Sequence, residues 1–293
     1  MLYSITHRTS YEYAANVSVS HHVAHLQPRV SPRQQVSDFF LEVDPKPSVQ
    51  TPRLDYYGNA TTNFSIAVHH RSLSVTAHSQ VRVTAQNLPD AATTLPWEIV
   101  RKRCSSDTLT DDSAVGEFLF DSPLIGCSPL FADYAMQSFP RDRPVMEGVI
   151  DLTTRIFRDF KFDPRATTVS TPLSEVFKER RGVCQDFAHL AIAVLRSIGL
   201  PSRYVSGYLE TRPMPGKARL IGADASHAWV SVWCPSFGWI DADPTNNLLP
   251  GDRYVTLGWG RDFSDVAPLH GVVMGGGEHT LRVGVDVVPI QES

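Results

Sequence analysis

Residues 182–210 read "GVCQDFAHLAIAVLRSIGLPSRYVSGYLE". Phe187, Leu190, Ala191, Val194, Leu195 and Ile198 fall at i, i+3, i+4, i+7, i+8 and i+11, the spacing of one buried helix face. Gly199 and Pro201 close that helix, and "SRYVSGYLE" reads as a strand directly after it. Cys184 stands in the first turn. A helix N-terminus presents unpaired N–H groups and a positive dipole end, which favour the thiolate form of a cysteine.

Working upstream, Met146, Val149, Ile150, Thr153, Ile156, Phe157 and Phe160 follow 3–4 spacing and predict one buried helical face. "TPLSEVFKERRG" (171–182) predicts a second helix, with Pro172 early, basic residues in the last turn and Gly182 at the C′ position. Downstream, "HAWVSVWC", "GWIDADPT" and the alternating "LRVGVDVVPI" predict strands. Helices followed by a run of strands argue for an α+β fold. The first 85 residues read as β throughout: "LSVTAHSQVRV" (73–83) alternates apolar and polar, "FFLEV" and "FSIAV" repeat the period, and Gly58-Asn59 marks a hairpin. An N-terminal antiparallel β-sandwich domain over 1–85 is the expectation. Residues 86–143, rich in Pro, Asp, Ser and Thr, read as a connecting segment with some helix. Residues 144–293 read as the catalytic core together with its C-terminal strands.

A thiol nucleophile needs a base, and the base needs a partner to orient it. His227 begins one strand and Asp243 ends the next, with Pro235-Ser236-Phe237-Gly238 as the turn between. A hairpin on that turn leaves the two residues about three positions from directly opposite, a gap that twist or a bulge absorbs. Cys184, His227 and Asp243 thus form a candidate nucleophile, base and orienting carboxylate. Each has an ordinary alternative role: buried cysteine as a small hydrophobe, histidine beside Trp229 as a satisfied core residue, aspartate before Pro244 as a turn cap. Asp241 shares the strand face of Asp243, and alternation alone does not choose between them.

These segments resemble the transglutaminase-like core, a superfamily of transglutaminases and of bacterial proteins proposed as cysteine proteases, with papain-like chemistry. The resemblance rests on "RRGVCQDFAHLAIAVLRSIGLPSRYVSGYLE" and "SHAWVSVWCPSFGWIDADPTNN". It implies Cys184 as nucleophile, His227 as base and Asp243, over Asp241, as the orienting aspartate. "YSITHRTSYEYAANVSVSHHVAHLQPR" resembles the bacterial transglutaminase N-terminal region, and the tail from Trp259 fits the same bacterial subgroup. The Cys184 backbone N–H is the natural first oxyanion donor. Gln185 is a candidate second donor, and Trp229 a candidate wall of the substrate groove. Asp186 reads as a helix-start carboxylate and His189 as packing.

Composition narrows the functional classes. At 293 residues with 42% hydrophobic and 20% charged content, the chain has the profile of a globular protein. A net charge of −4 gives no footprint for nucleic acid, and the short basic runs Arg101–Arg103 and Lys178–Arg181 read as solvated faces. The N-terminus has no basic-then-apolar signal pattern, and no apolar run reaches membrane-spanning length. Four widely spaced cysteines fit a reducing compartment, so a cytoplasmic location is expected. No calcium loop and no C-x-x-C pair appears, so no metal and no cofactor are expected. A metal site from Cys184, His227, Asp243 and Cys234 and a non-catalytic binding module are the rival readings. The leading one is acyl transfer on a peptide or protein amide through a thioester, with hydrolysis ahead of transfer to an amine.

Overall fold

The computed structural model describes residues 1–105, 115–211 and 226–290. The chain is α+β, with an antiparallel N-terminal region followed by a helical layer on a second antiparallel sheet. The N-terminal strands are β1 (Leu2–Ala24), β2 (Gln34–Asp44), β3 (Val49–Leu54), β4 (Ala60–Ile66) and β5 (His70–Val83). Alternation in β5 works as its sequence predicts: Leu73, Val75, Ala77, Val81 and Val83 are all buried. β3 and β4 form the hairpin at Gly58-Asn59, where Gly58 adopts φ +72°.

β1 organises this region. Its first half pairs with β5, its second with β4, and the register breaks between Glu12 and Val17. Such an irregularity lets one strand change neighbours and bend. The N-terminal antiparallel region is therefore hydrogen-bonded as one seven-stranded sheet that turns about β1. Tyr13 and Val17 from β1, Phe64 and Ile66 from β4, and Leu73 and Val75 from β5 share one apolar cluster.

Four helices precede the one that carries Cys184 or lie beside it: α1 (Trp97–Cys104), α2 (Pro129–Met136), α3 (Val145–Asp159) and α4 (Leu173–Glu179). Two-residue strands β6 (Lys161–Phe162) and β7 (Arg181–Gly182) pair in parallel and lead into α5 (Cys184–Ser197). In α3, Ile150 and Phe157, assigned to the buried face by spacing, are 39% and 50% exposed; the remaining five positions are buried. The stripe is narrower than its sequence pattern because, among the described residues, no element covers the outer edge of α3. α4 ends on Arg180, at φ +54°, while Gly182 belongs to β7. Its glycine serves a different purpose, described below.

The second sheet runs β10 (Gly238–Ala242), β9 (Ser226–Cys234), β8 (Ser202–Leu209), β11 (Tyr254–Gly260), with every pairing antiparallel. One face packs on α5, bringing Ala228, Val230, Val232 and Ile240 into a cluster with Leu190, Ala191 and Val194. Trp97, Val100, Phe131, Tyr134 and Phe139 join that cluster, so the described parts of 86–143 contribute to the helical layer. The opposite face meets the N-terminal sheet through Tyr3, Ile5, Val81, Tyr208 and Val255. The last strands, β12 (Leu269–Gly275) and β13 (His279–Ile290), pair with β1. Residues grouped by sequence with the core thus complete the N-terminal sheet, because each half of β1, paired on one side by β5 or β4, leaves its other edge for a returning strand.

Candidate active site

α5 starts where it does because of a local clamp. The Asp186 carboxylate folds back to accept the Val183 N–H at 2.8 Å and the Thr167 hydroxyl at 2.6 Å. This is the N3 carboxylate of a helix start. Gly182 makes room for it: a Cβ at that position would lie 2.7 Å from the Asp186 Oδ2. Burial raises the Asp186 carboxyl above its usual value, and the two hydrogen bonds oppose that shift. Cys184, the first residue of α5, is half-buried. Its N–H is among the four that a helix leaves without an intrahelical partner.

His227 and Asp243 come from the edge of the sheet that faces the start of α5. Ser236 and Gly238, at φ +73° and +76°, close the β9–β10 turn. Ala242 pairs with Val230, so continuing the register puts Asp243 opposite Trp229, two positions from His227. Beyond β10 the chain doubles back through an isolated bridge between Asp243 and Leu248. The remaining offset closes, and His227 Nε2 lies 2.7 Å from Asp243 Oδ2.

Asp243 is fully buried and accepts from five groups. Oδ2 takes the imidazole, the Tyr254 hydroxyl at 2.6 Å and the Asn246 side-chain amide at 2.7 Å; Oδ1 takes the backbone N–H groups of Thr245 and Asn246. Burial pushes its carboxyl up, but these donors, led by His227, outweigh it and hold the group below the ordinary carboxylate range. Burial likewise opposes a charged His227. Interaction with the Asp243 carboxylate, which accepts from the ring, and with Cys184 reverses this and pushes the imidazole up to about 10. Cys184 thus lies close enough to act on the imidazole, and with Nε2 committed to Asp243, Nδ1 is the ring nitrogen left open.

The structure thus brings Cys184, His227 and Asp243 together. Asp241 goes elsewhere: its Oδ2 lies 3.3 Å from the Arg33 guanidinium, toward the N-terminal sheet. Trp229 does not line a groove. It is 0% exposed, packed edge-on against Tyr254 with ring centroids 5.3 Å apart. Gly207, paired with His227, makes space for it, since a Cβ there would lie 2.5 Å from the indole. A strand residue two places from the histidine points to the same face, and that face is sealed by β11. Gln185 is half-buried and lines a cleft of about 580 Å³ with residues 122–128 and 169–174. His189 borders this cleft but is buried, accepts the Phe263 N–H at 3.1 Å and packs on Tyr204.

Tyr254 and Asn246 are site residues that sequence reasoning missed. Asn246 carried a weak signal, an Asx-type position three residues after Asp243. Tyr254 carried none, because it arrives from β11, at the far edge of the sheet order. Among the described residues no group of three or more His, Cys, Asp or Glu side chains is placed to hold a metal ion. Cys234 lies at the opposite end of β9 from His227.

Fold and site together define a thiol–imidazole–carboxylate arrangement on a helix-and-sheet core, and comparison with known proteins agrees with that class. Residues 3–82 match the bacterial transglutaminase-like N-terminal region and residues 134–244 the transglutaminase-like superfamily. An uncharacterized protein of Mycobacterium tuberculosis is 42% identical over 297 residues, covering 99% of this chain and 93% of that protein. A protein-glutamine gamma-glutamyltransferase of Pseudomonas aeruginosa is 33% identical over 107 residues, 34% of this chain and 16% of the relative. A solved structure of a proposed cysteine protease from Cytophaga hutchinsonii shares the fold, with TM-score 0.75 and 20% identity over all of this chain and 92% of that one. The chain belongs to the transglutaminase-like superfamily.

Proposed function

We propose that the protein catalyses cysteine-dependent acyl transfer on amide bonds of a peptide or protein, with water as the acceptor. The observation that carries this reading is the Cys184–His227–Asp243 array at the start of α5, with the carboxylate fully buried beneath the imidazole.

The Cys184 thiolate attacks the amide carbon, and charge developing on the oxygen meets the unpaired N–H groups of the first turn of α5. The carbon–nitrogen bond breaks as His227 passes its proton to the leaving amine, leaving a thioester on Cys184. His227 then takes a proton from water, the resulting hydroxide attacks the thioester, and the thiol and a carboxylic acid are released. Asp243 holds the ring in the required orientation and stabilises its charged form. Gln185, next to the nucleophile in the first turn of α5, is the proposed second oxyanion donor.

Intact-mass analysis during turnover of a glutamine-rich peptide library tests this. The expected result is an acyl adduct on Cys184, discharged by hydroxylamine and absent in Cys184→Ala. Adding a primary amine separates the two acceptors: hydrolysis leaves the acid as the main product, whereas transfer would convert it to the amide. Full amide cleavage by Cys184→Ala would refute the proposal.

A further inference from the structure

A second cavity, of about 410 Å³, lies where β8, β10 and β11 meet the loop between β1 and β2. Arg29, Arg33 and Arg203 converge on it, with Asp241 as the one carboxylate in its wall. Arg203 is the unusual member. It is only 8% exposed, and its Nε has no hydrogen-bond partner among the described residues. A buried guanidinium ordinarily finds a carboxylate or carbonyl, and one left open needs an explanation.

The neighbours hold Arg203 in place without satisfying it. Its guanidinium carbon lies 4.2 Å from the Trp239 ring centroid and 3.7 Å from that of Trp259, so it is stacked by two indoles. Stacking fixes the plane and leaves the in-plane N–H edge for a ligand. Arg29 stacks on the same Trp259 at 3.6 Å and donates to the Asn59 carboxamide oxygen at 2.7 Å. Arg33 reaches Asp241 at 3.3 Å. With that pair neutralised, two guanidinium charges remain over an aromatic-walled space large enough for a small organic molecule. Burial, helped by the charges of Arg29 and Arg33 against that of Asp241, depresses the Arg203 group to about 9, so an anion placed there relieves a real cost.

We propose that this cavity is a binding site for a small organic anion, whose carboxylate or phosphate oxygens accept from the open edge of Arg203 between Trp239 and Trp259. An oxyanion matches the planar fork of donors, and the indole faces suit an apolar or planar remainder. The site is separate from the catalytic array: Asp241 looks into this cavity, whereas Asp243, two residues on, looks toward His227. It stands whether or not the catalytic proposal does.

Isothermal titration calorimetry on the full chain, with inorganic phosphate and with succinate as separate probes, tests it. Saturable binding of at least one probe is expected at a Kd of about 1 mM or tighter, and the preferred probe tells phosphate from carboxylate. Arg203→Gln should weaken that binding about tenfold or more, while Asp241→Asn, which frees Arg33, should tighten it. If Arg203→Gln fails to fold, Arg29→Gln and Asp241→Asn decide, with weaker and tighter binding expected respectively. No saturable heat for either probe, or equal affinity across these variants, would overturn the assignment.

Discussion

Asp243 has more hydrogen-bond donors than orienting one imidazole requires, and Tyr254 is the donor whose removal is most informative. Its hydroxyl stays neutral because burial and the Asp243 charge both push its pKa up. Tyr254→Phe keeps the packing against Trp229 and deletes one bond to a buried carboxylate. Losing a bond to a charged acceptor costs about 1.5–3 kcal/mol. The expected outcome is a fall in kcat/KM of about tenfold with the acid limb of the pH profile moved upward, read from pH–rate profiles of both proteins. An unchanged acid limb would mean that Asp243 does not depend on Tyr254. The proximity of Cys184, His227 and Asp243 was legible from sequence because all three lie close to recognisable helix and strand ends. Tyr254 was not legible, since its role arises only once β11 is laid beside β8. Trp229 misled for a related reason: alternation fixes its face but not which element covers that face.

At the scale of elements, the start of α5 decides whether Cys184 is presented at all. Asp186→Ala removes the acceptor for the Val183 N–H and a first-turn carboxylate, and should destabilise the protein by about 0.5–2 kcal/mol. Gly182→Ala should cost at least as much, because its methyl group would displace that same carboxylate. Chemical denaturation of both variants and of the pair checks this. The double variant should be less destabilised than the sum, since both changes break one clamp. Strict additivity would contradict a shared origin. Periodicity showed α5 and α3 clearly, as a 3.6-residue repeat is a local property. The end of α4 was misplaced by two residues because Arg180 adopts the left-handed conformation that glycine usually takes.

Across the whole molecule, the second sheet is held between α5 and the N-terminal sheet, and buried histidines sit in and around that packing. His7 bonds the Tyr208 hydroxyl at 2.9 Å across the junction, and burial lowers it to about 4. Burial lowers His22 and His189 to about 4 as well. Each binds a proton more readily unfolded, where the reference value is about 6.5, so stability is lost as pH falls from about 6.5 toward 4. His227 has the opposite sign: its stabilising contribution is full below about 6.5 and is lost as pH rises through about 10. Stability should therefore fall on both sides of neutrality, with His7→Gln flattening the acid side. Thermal melts from pH 4 to 10 measure this, and a flat acid side in the parent protein would contradict it. The return of β12 and β13 to β1 was the least legible feature. Two strands with strong alternation advertise that they pair, but nothing local says with which edge.

The most direct test of the central claim is the pH dependence of iodoacetamide labelling at each cysteine, followed by peptide mass spectrometry in the parent protein and in His227→Ala. Cys104 and Cys234 are buried, and burial pushes the Cys234 thiol up to about 11. Cys127 is half-exposed, but burial and its hydrogen bond to Asp121 raise it to about 11 as well. Cys184 is predicted to label selectively at neutral pH, and that selectivity is predicted to be lost when His227 is removed. Labelling of Cys184 no faster than the other cysteines, or equally fast with and without His227, would show that no activated thiol–imidazole pair forms, and the catalytic account would fall with it.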